Sequence, residues 1–157
     1  MLVGSDKGNL TYVRKCAELH NLQKQVHFAG FVSRQELAAL YRNALALTFV
    51  SFFGPDNLPP LEAFALGCPV IAANVSGARE QLGQAALLVD PKEPRAIAEA
   101  VLRLHHRPEL REDLIELGRE RARQFTGKQY IEAILQIIDD FEPIRRCWSS
   151  TEPYHQL

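Results

Sequence analysis

Short apolar runs alternate with stretches of helical periodicity along most of the chain. Met1-Leu2-Val3-Gly4 reads as the tail of a strand, and Ser5-Asp6-Lys7-Gly8-Asn9 as a turn-rich loop. Val13, Cys16, Ala17 and His20 recur at helical spacing and predict a helix over about residues 10–22. Val26-His27-Phe28-Ala29-Gly30 alternates and predicts a strand. Ser33 and Glu36 stand at the spacing of a capping box, opening a helix that carries Leu37, Leu40 and Tyr41. Leu45-Ala46-Leu47-Thr48-Phe49-Val50 predicts a fully buried strand. Ala86-Leu87-Leu88-Val89 predicts another, closed by Asp90-Pro91. Ile97, Val101 and Leu104 mark the next helix; Pro108 starts a further one with Leu110, Leu114 and Leu117 inward. Thr126 caps a last long helix bearing Tyr130, Ile134, Ile137 and Phe141. The pattern stops at Pro143, so a tail over 142–157 is expected, poorly ordered from Arg145 or taken up by a neighbour. Its lone Trp148 suggests a docking contact there.

The middle of the chain is the most informative stretch. Gly54, Pro55, Asp56 and Asn57 break regular structure after the strand. Pro59 and Pro60 fit only in the first turn of a helix, where a missing N–H costs nothing. Glu62 is then expected in that same first turn, near the positive end of the helix dipole. Gly67 ends the helix, Pro69 prevents its resumption, and Val70-Ile71-Ala72 forms a short buried strand. A loop, a helix N-terminus with free N–H groups and a first-turn carboxylate make a seat for a phosphorylated, hydroxyl-bearing ligand.

Strands alternating with helices predict an α/β fold: a Rossmann-like three-layer α/β/α arrangement, a mainly parallel sheet of about five short strands, and a helical last third. The 157 residues suit one domain, and 46% hydrophobic residues suit an ordinary core. A net charge of −1 gives no reason to expect nucleic acid or an anionic membrane. There is no apolar run long enough to span a bilayer, and no secretory signal pattern. Cys16, Cys68 and Cys147 are odd in number and widely spaced; they read as reduced thiols of a cytosolic, cytoplasmic protein, with no metal site. His20, His27, His105 and His106 have no partners at catalytic spacing, and neither a Walker loop nor a Gly-x-Ser-x-Gly elbow is present.

Residues Ser51, Leu58, Pro59, Glu62, Ala63, Ala65, Gly67, Pro69, Val70, Ile71, Ala72, Gly77 and Glu80 stand in the register of a known pattern. That pattern resembles the donor-binding region of retaining glycosyltransferases of the GT-B fold, two Rossmann-like domains facing a cleft. The later landmarks Asp90-Pro91, Ala96-Ile97-Ala98, Pro108-Glu109-Leu110-Arg111, Gly118-Arg119 and Phe125-Thr126 resemble the end of the same domain, so the likeness covers about residues 1–141. It implies a partial nucleotide-sugar-binding domain over 1–141 that begins one strand and one helix after the family's usual start. The family's basic diphosphate-binding residues and its acceptor-binding N-terminal domain are then outside this chain. A sheet without that strand leaves open edges, which predicts a homo-oligomer.

The resemblance also assigns site residues. Glu62 corresponds to the carboxylate that accepts both ribose hydroxyls, a task suited to a group with two acceptor oxygens. Asn57, Leu58 and Pro59 would line the sugar and diphosphate end. Gly54 stands where the family has a glutamate that grips the donor hexose, and Asp56 is the nearby candidate to compensate. Gly30, Phe31 and Val32 match a loop that contacts the base, and Ser76, Gly77 and Glu80 match a late loop. Each has a plainer alternative: a turn before a helix, a strand-to-helix loop, or, for Glu80, a helix-start carboxylate. The implied function is the donor side of an enzyme that transfers a sugar from a nucleoside diphosphate sugar to an acceptor, with no catalytic residue here and no cofactor beyond the donor. This chain alone is expected to be inactive and to bind donor weakly. The alternative is a non-catalytic truncated module acting in oligomerisation or protein binding.

Overall fold

The computed structural model describes residues 1–53 and 58–149, with side chains through Arg145. The chain divides into two compact units, Met1–Ala44 and Leu45–Leu157.

In the first unit, β1 (Leu2–Val3) pairs in parallel with β2 (Phe28–Gly30), and α1 (Leu10–Leu19) and α2 (Arg34–Asn43) follow the two strands. Asp6 organises the start of α1. Its Oδ1 accepts from the backbone N–H groups of Gly8 at 2.7 Å and Leu10 at 3.1 Å. These bonds, Leu10 first, hold its carboxyl below the ordinary aspartate range. The predicted capping box is present on α2: the Glu36 N–H donates to Ser33 Oγ at 3.3 Å, and the Ser33 N–H donates to Glu36 Oε2 at 2.7 Å. α1 ends at Leu19, before the expected residue 22, because Asn21 takes a left-handed φ of 55°. The Val26 N–H then bonds back to Leu22 at 3.0 Å, so β2 starts only at Phe28.

The second unit runs β3 (Leu47–Phe49), α3 (Leu58–Ala65), β4 (Val70–Ala73), α4 (Ala78–Leu82), β5 (Ala86–Val89), α5 (Pro94–His106), α6 (Pro108–Arg123) and α7 (Gly127–Ser149). Its strands lie in the order β3-β4-β5, all parallel, in register Leu47↔Val70 and Val70↔Ala86. All four residues of β4 are buried, as expected for a central parallel strand. Ile71 packs with Ala100 and Leu104 of α5 and Leu114 of α6 to form the core, joined by Leu87, Val89 and Leu110. The fold is therefore α/β and Rossmann-like, with every strand pairing parallel and a helical last third.

Several local expectations change. β3 is shorter than Leu45–Val50 and not fully buried, since Thr48 is exposed and β4 is the only strand it pairs with among the described residues. β1 likewise pairs only with β2, so the five strands form two ladders, each with open edges among the described residues. Leu117 was expected inward but is 40% exposed; Leu114 and Gly118, one turn apart, form the buried line of α6 instead. α4 is a short helix that the periodicity does not reveal. α7 continues through Pro143 to Ser149 instead of stopping there. Pro143 withholds one N–H from the Asp139 carbonyl, a loss that a solvent-facing helix tolerates by hydrating the freed oxygen. Among the described residues no helix is long and apolar enough to cross a membrane.

Candidate functional site

β3 and β4 are parallel neighbours in register, so the chain leaves both strands at the same carboxyl edge of the sheet. Open α/β sheets hold their ligands at that edge. The segment after β3 leads to α3, and the segment after β4 carries Ser76 and Gly77 into α4. Most of the predicted site residues lie on these two connections.

Leu58, Pro59 and Pro60 open α3, with Leu58 64% exposed and Pro60 fully buried. Because Leu58 is already helical, the prolines take the second and third positions. Glu62 becomes the fifth residue, and no acidic side chain stands in the first turn. Its expected place in that turn is corrected accordingly, and the helix dipole acts on it less, since that field fades within one turn. The two prolines also remove two of the four N–H groups a helix start normally offers, leaving that of Leu58 among the described residues. This end of α3 thus presents fewer donors to a phosphate than the sequence suggests. Glu62 itself is exposed and has no side-chain hydrogen bond or ion pair among the described residues. Gly54, Asp56 and Asn57 lie outside the described residues.

The far end of α3 is fixed tightly. Gly67 has φ 73°, its N–H bonds Phe64 O at 3.1 Å, and the Cys68 N–H bonds Ala63 O at 2.8 Å. This is a Schellman cap, the left-handed glycine stop that the sequence predicts. Cys68 is buried beneath it, and burial raises its thiol pKa. The Ser51 hydroxyl, at the exit of β3, is buried without a hydrogen-bond partner among the described residues.

On the second connection, Ser76 and Gly77 are exposed, and Gly77 sits at φ 80° as the residue before α4. Glu80 is an exposed first-turn carboxylate of α4. Arg121 of α6 holds this short helix from below. Its Nε donates to Gln81 O at 2.9 Å, its Nη2 donates to Glu80 O, and its guanidinium lies 5.0 Å from the Phe125 ring centre. Arg79 Nε reaches Asn74 Oδ1 at 3.4 Å across the loop. Sequence reasoning missed Arg121, because a basic residue in the last turn of a helix is common and its target lies forty residues away in sequence.

Gly30, Phe31 and Val32 belong to the first unit. Gly30 ends β2 with φ 66°, Phe31 is 85% exposed and Val32 is half-buried. Gly30 also lines a groove of about 430 Å³ built from β1, β2, the Ser5–Asn9 loop and α1. Phe31 and Val32 do not line it. Among the described residues no cluster of His, Cys, Asp or Glu has the arrangement to hold a metal ion.

Comparison with known proteins bears on this arrangement. The family described as glycosyl transferases group 1 matches residues 1–121. The O-antigen chain mannosyltransferase B of Escherichia coli is 33% identical over 101 residues, 64% of this chain and 26% of that protein. The D-inositol 3-phosphate glycosyltransferase of Corynebacterium glutamicum is 36% identical over 115 residues, 72% of this chain and 28% of that protein. The chain thus spans little more than a quarter of these relatives. Among solved structures, sucrose-phosphate synthase from Thermosynechococcus elongatus superposes with a TM-score of 0.74 at 29% identity, over 93% of this chain and 38% of that one. Anabaena HepE, solved in complex with UDP, superposes with a TM-score of 0.77 at 22% identity, over 88% of this chain and 40% of that one; this is a likeness of fold.

Proposed function

The chain belongs to the glycosyl transferases group 1 family, and from that premise we propose that it forms the donor side of a sugar-transferring enzyme. It holds a nucleoside diphosphate sugar at the carboxyl edge of β3 and β4. Glu62 accepts the two ribose hydroxyls, and the β4–α4 connection with Ser76, Gly77 and Glu80 closes the opposite side. The single observation that carries this reading is the position of Glu62: exposed on the helix that follows β3, with its carboxylate unengaged among the described residues. A carboxylate in that state meets two adjacent hydroxyls without first breaking a bond of its own. That HepE was solved with UDP supports a nucleotide as the ligand class.

The chain spans little more than a quarter of its curated relatives, and on this reading its own share of the donor site gives weak donor binding. The loss of two N–H donors at Pro59 and Pro60 points the same way. A thermal-shift screen of nucleotides and nucleotide sugars tests the reading. A stabilising shift with UDP, GDP or their sugars that is lost in Glu62→Ala supports it; no shift with any nucleotide, or a shift that survives Glu62→Ala, contradicts it.

A second reading is a non-catalytic module acting in association. The observation that favours it is the exposed apolar side chains of α7, among them Tyr130, Ile131, Leu135, Ile137 and Ile138.

A further inference from the structure

From Gly127 to Arg145, no side chain of α7 is buried. Yet Tyr130, Ile134, Ile137, Phe141 and Ile144 follow one another at steps of four, three, four and three. That average of 3.5 residues is the repeat of a coiled-coil seam, in which alternate apolar positions meet a facing helix. Tyr130 and Ile137 are each 68% exposed, and Ile131 and Ile138, which flank the seam, are 54% and 56% exposed. Pro143 stands two positions after the seam residue Phe141, on the part of the repeat that faces away from a partner helix.

The charges beside the seam decide what covers it. In a parallel, in-register pair, the residue just before one seam position faces the residue five further along the partner helix. Here that sets Asp140 against Arg145 of a second copy, twice by symmetry. An antiparallel pair centred on Ile137 sets Asp140 against Ile134 and Arg145 against Gln129, with no charge satisfied. Neither charged group is saturated by its own helix. Arg145 gives Nε and Nη2 to Glu142 at 2.8 and 3.0 Å, and a guanidinium keeps three further N–H donors. Asp140 accepts from Gln136 Nε2 at 2.9 Å, one bond of the several a carboxylate takes.

We propose that α7 pairs in parallel with α7 of a second copy of this chain, forming a two-fold symmetric dimer. The pairing is independent of whether the chain binds a nucleotide sugar.

Sedimentation equilibrium on the 157-residue chain tests it. The wild type should dimerise at concentrations of about 200 µM or below. Ile137→Asp should be monomeric there, with its helical circular dichroism kept, since the position is exposed. Asp140→Arg and Arg145→Asp should each weaken the dimer by roughly tenfold, and the double exchange should restore it. These are surface changes, so they remain informative if Ile137→Asp disturbs folding. A wild type that stays monomeric overturns the proposal and assigns the seam to a segment of a longer polypeptide. A dimer that survives Ile137→Asp places the contact elsewhere. A double exchange no tighter than the single ones excludes the parallel register.

Discussion

The ring of Phe64 lies directly over the bare backbone of Gly118. A Cβ added at Gly118 would stand 2.8 Å from Phe64 Cδ1, 3.2 Å from Cγ and 3.4 Å from Cβ. Phe64 is 1% exposed and sits on α3, two residues after Glu62; Gly118 is in the middle of α6. The contact fixes α3, and with it the candidate nucleotide carboxylate, against the helical last third of the chain. Because the close atoms reach down to the Phe64 Cβ, the ring cannot clear an added methyl by turning about its own axis. Gly118→Ala should therefore destabilise the fold. The helix-propensity gain of about 1 kcal/mol is outweighed by overpacking of about 1–3 kcal/mol. Phe64→Ala should cost about 3–5 kcal/mol as a buried large-to-small change. Urea unfolding midpoints check both, and Gly118→Ala should be partly rescued by Phe64→Leu.

The capping box gives a pH dependence of known sign. The backbone N–H and then the hydroxyl of Ser33 hold the Glu36 carboxyl below its ordinary range. A folded-state pKa below the unfolded one means the contribution is fully present above the unfolded value, about 4.3, and is lost as pH falls through the lower folded value. Asp6 at the start of α1 acts in the same direction. Glu36→Gln should lower the thermal midpoint at neutral pH. The gap from wild type should shrink as pH is taken to about 3. A gap that stays constant over that range would show that the carboxylate charge contributes nothing to the cap.

Arg121 should prove to hold α4 in place. Replacing it by Met keeps the apolar stem but leaves the Glu80 and Gln81 carbonyls without their donors. The expected cost is about 1–2 kcal/mol, at the low end for charge-assisted bonds because the site is only part-buried. Hydrogen exchange localises it: the Gln81 and Gly83 amides, which bond Gly77 O and Arg79 O, should lose protection before the β4 amides do. Equal protection in wild type and variant would contradict the role.

Local punctuation made much of this fold legible from sequence. Gly67 and Pro69 mark the end of α3 because few residues adopt φ 73°. Ser33 and Glu36 mark the start of α2 because their reciprocal bonds need only a fixed spacing. Long-range relations were not legible in this way. Nothing local in Leu110, Leu114 and Leu117 says that Gly118 takes the inward place, since Phe64 arrives from a helix fifty residues earlier. Glu62 falls just past the first turn because the helix starts at Leu58, one residue ahead of the prolines, and no propensity argument favours that start. Arg121 escaped notice for the same reason as Gly118: its partners belong to another element.

The measurement that bears most directly on the donor-side reading is calorimetric titration of UDP- and GDP-sugars into wild type and Glu62→Gln. Glu62 is exposed, so the substitution should leave the urea midpoint unchanged to within about 0.5 kcal/mol. The account predicts weak but saturable binding of at least one nucleotide sugar to the wild type, with affinity lowered at least about tenfold in Glu62→Gln. Binding of equal strength to both proteins, or no binding to the wild type at millimolar nucleotide sugar, would contradict it.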